Sequence, residues 1–392
     1  MTMKSALLQF ARVVLFAAFS YPAGAAEPYP IHAMLPLTGN AAFLGQGEQD
    51  ALVIAERLVN ETGGIGGHPL KFIYHDDQGS PQIAVQLANE ILGSKPAVLL
   101  GPSLVAGCRA IAPLMKNGPV DYCLSPGFHP DAGSFVFSSY ASTTDLIEVQ
   151  LRYFRLKGIK RLALLVSTDA TGQDAEAGIK EALALPENKD MQLVQLAYFA
   201  LGDVSVAAQI EAVKAADPQC LIAWTTGASI GTVFRAIRDA GLDIPIATTG
   251  ANLIYKLMEQ YERVLPRQLY LGTTEWIIRD HTLLQANELR VHDQFYKAYA
   301  EAGKKPDLPS IIAWDPAMLV VAALRAHGTE AGAARVNDHL SRLKGFAGLN
   351  GIYDFPAVPQ RGLDGRDGLV TIWSVGDRTW QVVSRPGGEP LK

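Results

Sequence analysis

The stretch Arg161 to Gln173 reads RLALLVSTDATGQ. Leu162 to Val166 is a short apolar run, branched at every position but Ala163, which suits a buried strand. Ser167 to Gly172 follows as a turn of small and hydroxyl-bearing residues. Gln173 to Leu183 then continues as a helix. Strand, small-residue turn and helix form the repeating unit of a parallel α/β sheet. The unit recurs downstream, with strands predicted at Gln192–Tyr198, Leu221–Trp224 and Ile244–Ala247 and a helix at Ile230–Ala240. It also recurs upstream, with strands at Ile31–Leu35, Leu70–Tyr74, Ala97–Leu100 and Val120–Leu124. A helix near Gln46–Asn60 places Ala51, Ile54, Ala55 and Leu58 on one face, and Ser80-Pro81 caps another through Ile91. Two such series predict two doubly wound α/β lobes with mostly parallel sheets. Strand Gln268–Gly272 leads into three helices near Thr282–Ala302, Ile311–Ala326 and Ala333–Leu343. Leu369–Val383 reads as a hairpin turning at Gly376-Asp377.

Composition narrows the function. The chain has 392 residues, 48% hydrophobic, with a net charge of −5 and no basic stripe, so nucleic-acid binding is not expected. Lys4 and Arg12 precede the apolar run Val13–Phe19 and the small residues Ala23, Gly24 and Ala25. That pattern predicts a cleavable export signal over residues 1–26. The run is too short to span a bilayer, which takes roughly 20 residues. No later segment reads as a span. The cysteines are Cys108, Cys123 and Cys220. The first two could pair, but buried free thiols are the expected state. His75, Asp76 and Asp77 read as a strand running into an acidic turn, so no metal and no cofactor are expected.

Open α/β sheets bind ligands beyond the carboxyl ends of their strands. Those ends carry Gly101-Pro102-Ser103-Leu104, Ser125-Pro126-Gly127-Phe128-His129, Ser167 to Gly172, Thr225-Thr226-Gly227-Ala228, and Thr248-Thr249-Gly250-Ala251-Asn252. Any one such loop is an ordinary turn or cap. Several in both lobes predict facing walls of a cleft, with hydroxyls and helix N-termini that suit an anion.

A further set of features is collinear along the chain: Pro36-Leu37-Thr38-Gly39, the Thr62 to Gly67 turn, Asp76-Asp77 with Pro81 and Ala84, Leu124-Ser125-Pro126-Gly127, Thr171-Gly172-Gln173, and Gly241-Leu242 before Pro245. In these the chain resembles the branched-chain amino-acid (Leu/Ile/Val) type of periplasmic binding protein, the type I solute receptors of ABC transporters. The resemblance implies two lobes joined by three hinge crossovers, near Ser139–Thr144, Thr273–Trp276 and Gly348–Tyr353. The first lobe would hold 27–141 and 275–348, the second 142–274 and 349–392. It implies a ligand set of Leu44, Ser103, Leu104, Val105, Gly127, Phe128 and His129 from the first lobe, and Thr171, Thr226, Gly227 and Thr249 from the second. It also implies a monomer in the periplasm that hands a small molecule to membrane permease subunits and catalyses nothing. Two departures bear on the ligand. Thr249 falls where amino-acid binders carry an acid for the ammonium group, and Thr171 and Gly227 fall where tyrosines are common. The family's disulfide has no matching cysteine near Gln78. A small carboxylate with an apolar or aromatic body is therefore expected ahead of a free α-amino acid, with Glu275 offering an acid from another direction.

Two other readings compete. Gly227-Ala228-Ser229-Ile230-Gly231 fits the Gly-x-Ser-x-Gly elbow of serine hydrolases, with Asp293 and His327 as partners further along. A ligand-sensing regulator of the same fold is the other, and the export signal argues against it.

Overall fold

The computed structural model describes residues 26–279 and 283–391; the expected export signal lies almost wholly outside them. The first lobe begins with β1 (Tyr29–Leu35), α1 (Ala42–Glu61), β2 (Leu70–Asp76) and α2 (Pro81–Leu92). It continues with β3 (Val98–Leu100), α3 (Val105–Ile111), β4 (Val120–Cys123) and β5 (Val136–Ser138). Its sheet runs β2-β1-β3-β4-β5, parallel throughout. The second lobe follows with α4 (Thr143–Leu156), β6 (Arg161–Ser167), α5 (Ala170–Ala184), β7 (Gln192–Phe199) and α6 (Ala207–Ala215). It goes on through β8 (Cys220–Trp224), α7 (Ile230–Asp239), β9 (Ile246–Thr248), α8 (Tyr255–Tyr261) and β10 (Leu269–Thr274). Here the order β7-β6-β8-β9-β10 repeats the first sheet's topology.

The chain then returns to the first lobe as α9 (Ala286–Glu301), α10 (Leu308–His327) and α11 (Ala333–Arg342). A ribbon of β11 (Lys344–Ala347) and β12 (Ile352–Asp354) follows. Last, β13 (Gly368–Ser374) extends the second sheet antiparallel to β10, and β14 (Thr379–Val382) pairs antiparallel with β13 at its edge. Both lobes are thus doubly wound α/β units, as expected. α10 corrects one expectation, because it is long and apolar enough to cross a membrane. It is nevertheless the central helix of the first lobe, with 83% of its apolar window buried, and α1 runs along it.

The three crossing segments meet at one polar junction. Tyr140 Oη lies 2.7 Å from Thr273 Oγ1, and Thr274 N donates to Tyr140 Oη at 3.0 Å. Thr274 Oγ1 donates to Asn350 Oδ1 at 2.6 Å, and Asn350 Nδ2 donates to Asp315 Oδ2 at 2.8 Å. The lobe boundary differs from the expected one at residue 348. Tyr353 donates to Asp315 on α10, and Ser138 N at the end of β5 donates to Gln360 O. Residues 349–361 therefore stay bonded to the first lobe, and the chain joins the second sheet only at β13.

Cys108 and Cys123 form a disulfide, contrary to the expected free thiols; their Cα atoms are 5.9 Å apart. The register of α3 over β4 brings these Cα atoms within bridging reach, a tertiary fact that spacing along the chain does not carry. Cys220 is free and buried.

Asp121 stands on β4 at 0% exposure, and neither carboxylate oxygen has a hydrogen-bond partner. Burial pushes its carboxyl well above its ordinary value of 3.8. The folded state therefore keeps a proton that the unfolded chain releases, and Asp121 costs increasing stability as pH rises above 3.8. Asp121→Asn removes that titration. Compared with wild type in urea melts, the variant should gain about 1–3 kcal/mol between acid and neutral pH. Parallel pH profiles for the two proteins would count against a neutral, unpartnered Asp121.

Candidate functional site: a closed cleft between the lobes

The strand ends of the two sheets face each other. Between them lies a cavity of about 30 Å³ lined by Leu44, Ser103, Leu104, Val105 and Gly127 from the first lobe and by Thr171, Thr226 and Thr249 from the second. Ser125, Pro126 and Ala251, read at the strand ends but not in the expected ligand set, also line it, and sequence reasoning missed Leu124, Thr143, Trp224 and Ile312. Trp224 is the last residue of β8, and its place at a strand end was a usable signal. Ile312 comes from α10, and only tertiary packing brings it here.

The remaining expected residues, Phe128, His129 and Gly227, are not on this lining. Phe128 and His129 line an outer hollow beside Arg109 and Lys116. Gly227 has φ 84°, and a Cβ there would meet Asn40 O at 2.8 Å, so glycine is required where the second lobe touches the first. Glu275 is not on the lining. It lies by Glu288 and Asp367, and burial, helped by Glu288, pushes its carboxyl up to about 9.

The hydroxyls at the strand ends have different duties. Thr249 Oγ1 accepts from Ala251 N at 3.2 Å and caps a short 3-10 turn. Asp169, not Thr171, caps α5 by accepting from Gly172 N at 3.3 Å. Ser103 Oγ donates to Glu48 Oε2 at 2.6 Å. Glu48, on α1, is fully buried, and its Oε1 has no partner. Burial raises its carboxyl to about 8, the Ser103 hydrogen bond acts the other way, and Asp77 adds a further push upward.

The lobes are latched beside Gly127. His129 Nε2 lies 2.8 Å from Asp174 Oδ1 on α5. Asp174 Oδ2 is buried without a partner, 2.8 Å from where a Cβ on Gly127 would stand. Behind the latch, the buried Arg361 donates to Phe128 O at 2.6 Å and to Tyr140 O at 3.0 Å. The loop carrying Gly127 and His129 is thereby tied to the first crossing segment.

The hydrolase reading finds no support in the geometry. Ser229 Oγ is 2.9 Å from Thr225 Oγ1 and 3.3 Å from Thr226 O, whereas His327 is 3.1 Å from His339 on the first lobe. Among the described residues, no group of three metal-ligating side chains comes together. Asp76 is occupied as a turn organiser, accepting from Leu37 N and Thr38 Oγ1 at 2.9 and 2.7 Å.

Two topologically matched lobes, three crossings and a cleft at the strand ends give the bilobal architecture of type I periplasmic binding proteins. The sequence profile of the family described as Periplasmic binding protein matches residues 28–362, and the chain belongs to that family. It is similar to the Leu/Ile/Val-binding protein homolog 3 of Brucella melitensis, at 24% identity over 59% of this chain and 62% of that relative's length. Among solved structures it resembles LivJ of Streptococcus pneumoniae, a branched-chain amino acid transporter substrate binding protein in complex with isoleucine. The TM-score is 0.76 at 18% identity, covering 91% of this chain and 99% of that one. It also resembles an ABC transporter solute-binding protein of Rhodopseudomonas palustris in complex with benzoate. That match has a TM-score of 0.74 at 16% identity, over 93% and 97% of the two chains.

Proposed function

We propose that this protein is the extracytoplasmic receptor of an ABC importer, which captures a small carboxylate-bearing molecule between its lobes and delivers it to membrane permease subunits. It acts as a monomer and catalyses no reaction. The observation that carries this reading is the lining of the cleft. Hydroxyls of Ser103, Ser125, Thr171 and Thr226 stand beside the apolar bodies of Leu44, Leu104, Val105 and Trp224, with no charged side chain among the lining residues. Such a wall suits an apolar or aromatic body with one hydrogen-bonded anionic end. A cavity of about 30 Å³ has space for little more than a water, so the lobes must part to admit the ligand.

A second reading, a free apolar α-amino acid, is favoured by one observation. Asp174 Oδ2 is buried and unpartnered beside Gly127, and it is an acceptor for an ammonium group. Calorimetry with matched pairs separates the two: leucine against 4-methylpentanoate, and phenylalanine against 3-phenylpropanoate. Tight binding of the deaminated acids is the expected result. Sub-micromolar binding of the amino acids alone would transfer the proposal to the second reading. Failure of all four and of benzoate would sink the carboxylate class.

A further inference from the structure

Among the described residues, Glu48 is the one carboxylate hydrogen-bonded to a hydroxyl on the cavity wall. It projects from α1 at 0% exposure, one helical turn after Leu44, and reaches Ser103 Oγ with its Oε2 at 2.6 Å. Its other oxygen is buried with no partner. An ionised carboxylate in that place can only accept, so Ser103 must turn its O–H away from the cavity. The Ser103 oxygen would then present lone pairs to an incoming carboxylate, which repel it. A neutral carboxyl reverses the bond at the same distance. Glu48 donates to Ser103 Oγ, and the Ser103 O–H is released toward the ligand.

We propose that Glu48 is the positioning residue for the ligand's carboxylate. In its neutral form it turns Ser103 into a donor, and its ionisation turns Ser103 into an acceptor and expels the anion. The proposal rests on the ligand carrying a carboxylate, which both readings of the function share. The surroundings favour the neutral form. Asp77, on the loop after β2, is the acid that acts on Glu48, and its own carboxyl is raised by burial to about 6. At neutral pH Asp77 is therefore largely ionised and opposes a second negative charge. On the α10 side, Asp307 lies by Gly47, 3.6 Å from where a Cβ there would stand. Asp50, further along α1, is paired with Lys304 at 2.6 Å. The 3-10 turn Gly227–Ser229 packed on α1 carries no titratable group. None of these supplies a cation to Glu48.

Two measurements test the proposal. In ligand-free protein at neutral pH, the infrared difference between wild type and Glu48→Gln should contain a protonated-carboxyl band that disappears as pH rises past about 8. In calorimetry with 4-methylpentanoate and 3-phenylpropanoate, wild-type affinity should be flat below about pH 8. Above that it should fall by about tenfold per pH unit, since one proton is taken up with the anion. Glu48→Gln, whose amide keeps an N–H donor for Ser103 at every pH, should keep the low-pH affinity and lose the fall. The infrared band with no binding of either probe, nor of leucine, phenylalanine or benzoate, would sink the carboxylate reading of the site, and the proposal with it. Binding without the band, or the same pH profile in Glu48→Gln and wild type, would overturn the role of Glu48 alone.

Discussion

Asp315→Ala should lower the unfolding free energy by about 3–5 kcal/mol, because several buried donors lose their acceptor together and each costs about 1–3 kcal/mol unsatisfied. Asp315 sits inside α10 at 1% exposure. Its oxygens accept from Leu349 N at 2.9 Å, Asn350 N at 3.1 Å, Asn350 Nδ2 at 2.8 Å and Tyr353 Oη at 3.0 Å. Burial raises its carboxyl above the ordinary value while these donors pull it back. The loss would also release Asn350 from the junction where the crossing segments meet. Small-angle scattering of Asp315→Ala should therefore show a more expanded particle without ligand than wild type. Asp315→Asn keeps an acceptor and should cost less. A denaturant midpoint for Asp315→Ala within error of wild type would mean that water substitutes for the carboxylate, and the junction would not be held as described.

Arg361→Met should cost a similar amount, about 3–5 kcal/mol, as expected for removing one member of a buried charged cluster. The guanidinium is buried, and desolvation lowers its pKa to about 10 while Asp145 and Asp174 act to raise it. Methionine keeps an apolar stem but leaves Phe128 O and Tyr140 O without their donor, and Asp174 without its nearby cation. Arg361→Lys should recover only part of the loss, since one ammonium does not reproduce the guanidinium fork across separated carbonyls. The readout that sets this apart from simple core damage is the ligand loop. Hydrogen exchange at residues 127–129 should accelerate in Arg361→Met more than exchange in α2, which Arg361 does not touch. Equal acceleration in both would point to global destabilisation instead.

Much of this protein could be read along the chain. Alternation of short apolar runs with helical periodicity established two α/β lobes, because strands and helices impose periods of 2 and 3.6 on the positions that must be apolar. The strand ends located Ser103, Gly127, Thr171, Thr226 and Thr249, because a parallel sheet places all its carboxyl ends on one edge. Glu48 was also within reach of the sequence. It interrupts the buried stripe of Leu44, Ala51, Leu52 and Ala55 on α1, and a carboxylate at such a position calls for a partner.

Tertiary structure decided the rest. The Cys108–Cys123 bond depends on how α3 lies over β4, and the late return of the chain at Gly368 depends on Gln360 bonding back to Ser138. Ile312 joins the cleft from α10, far away in sequence, and Arg361 locks a loop more than two hundred residues before it. The closure of one lobe on the other through His129 and Asp174 is likewise a contact between separate sheets. Local pattern records which face of each element must be buried. It carries no information on which distant groups meet there, because that is set by the packing of whole elements against one another.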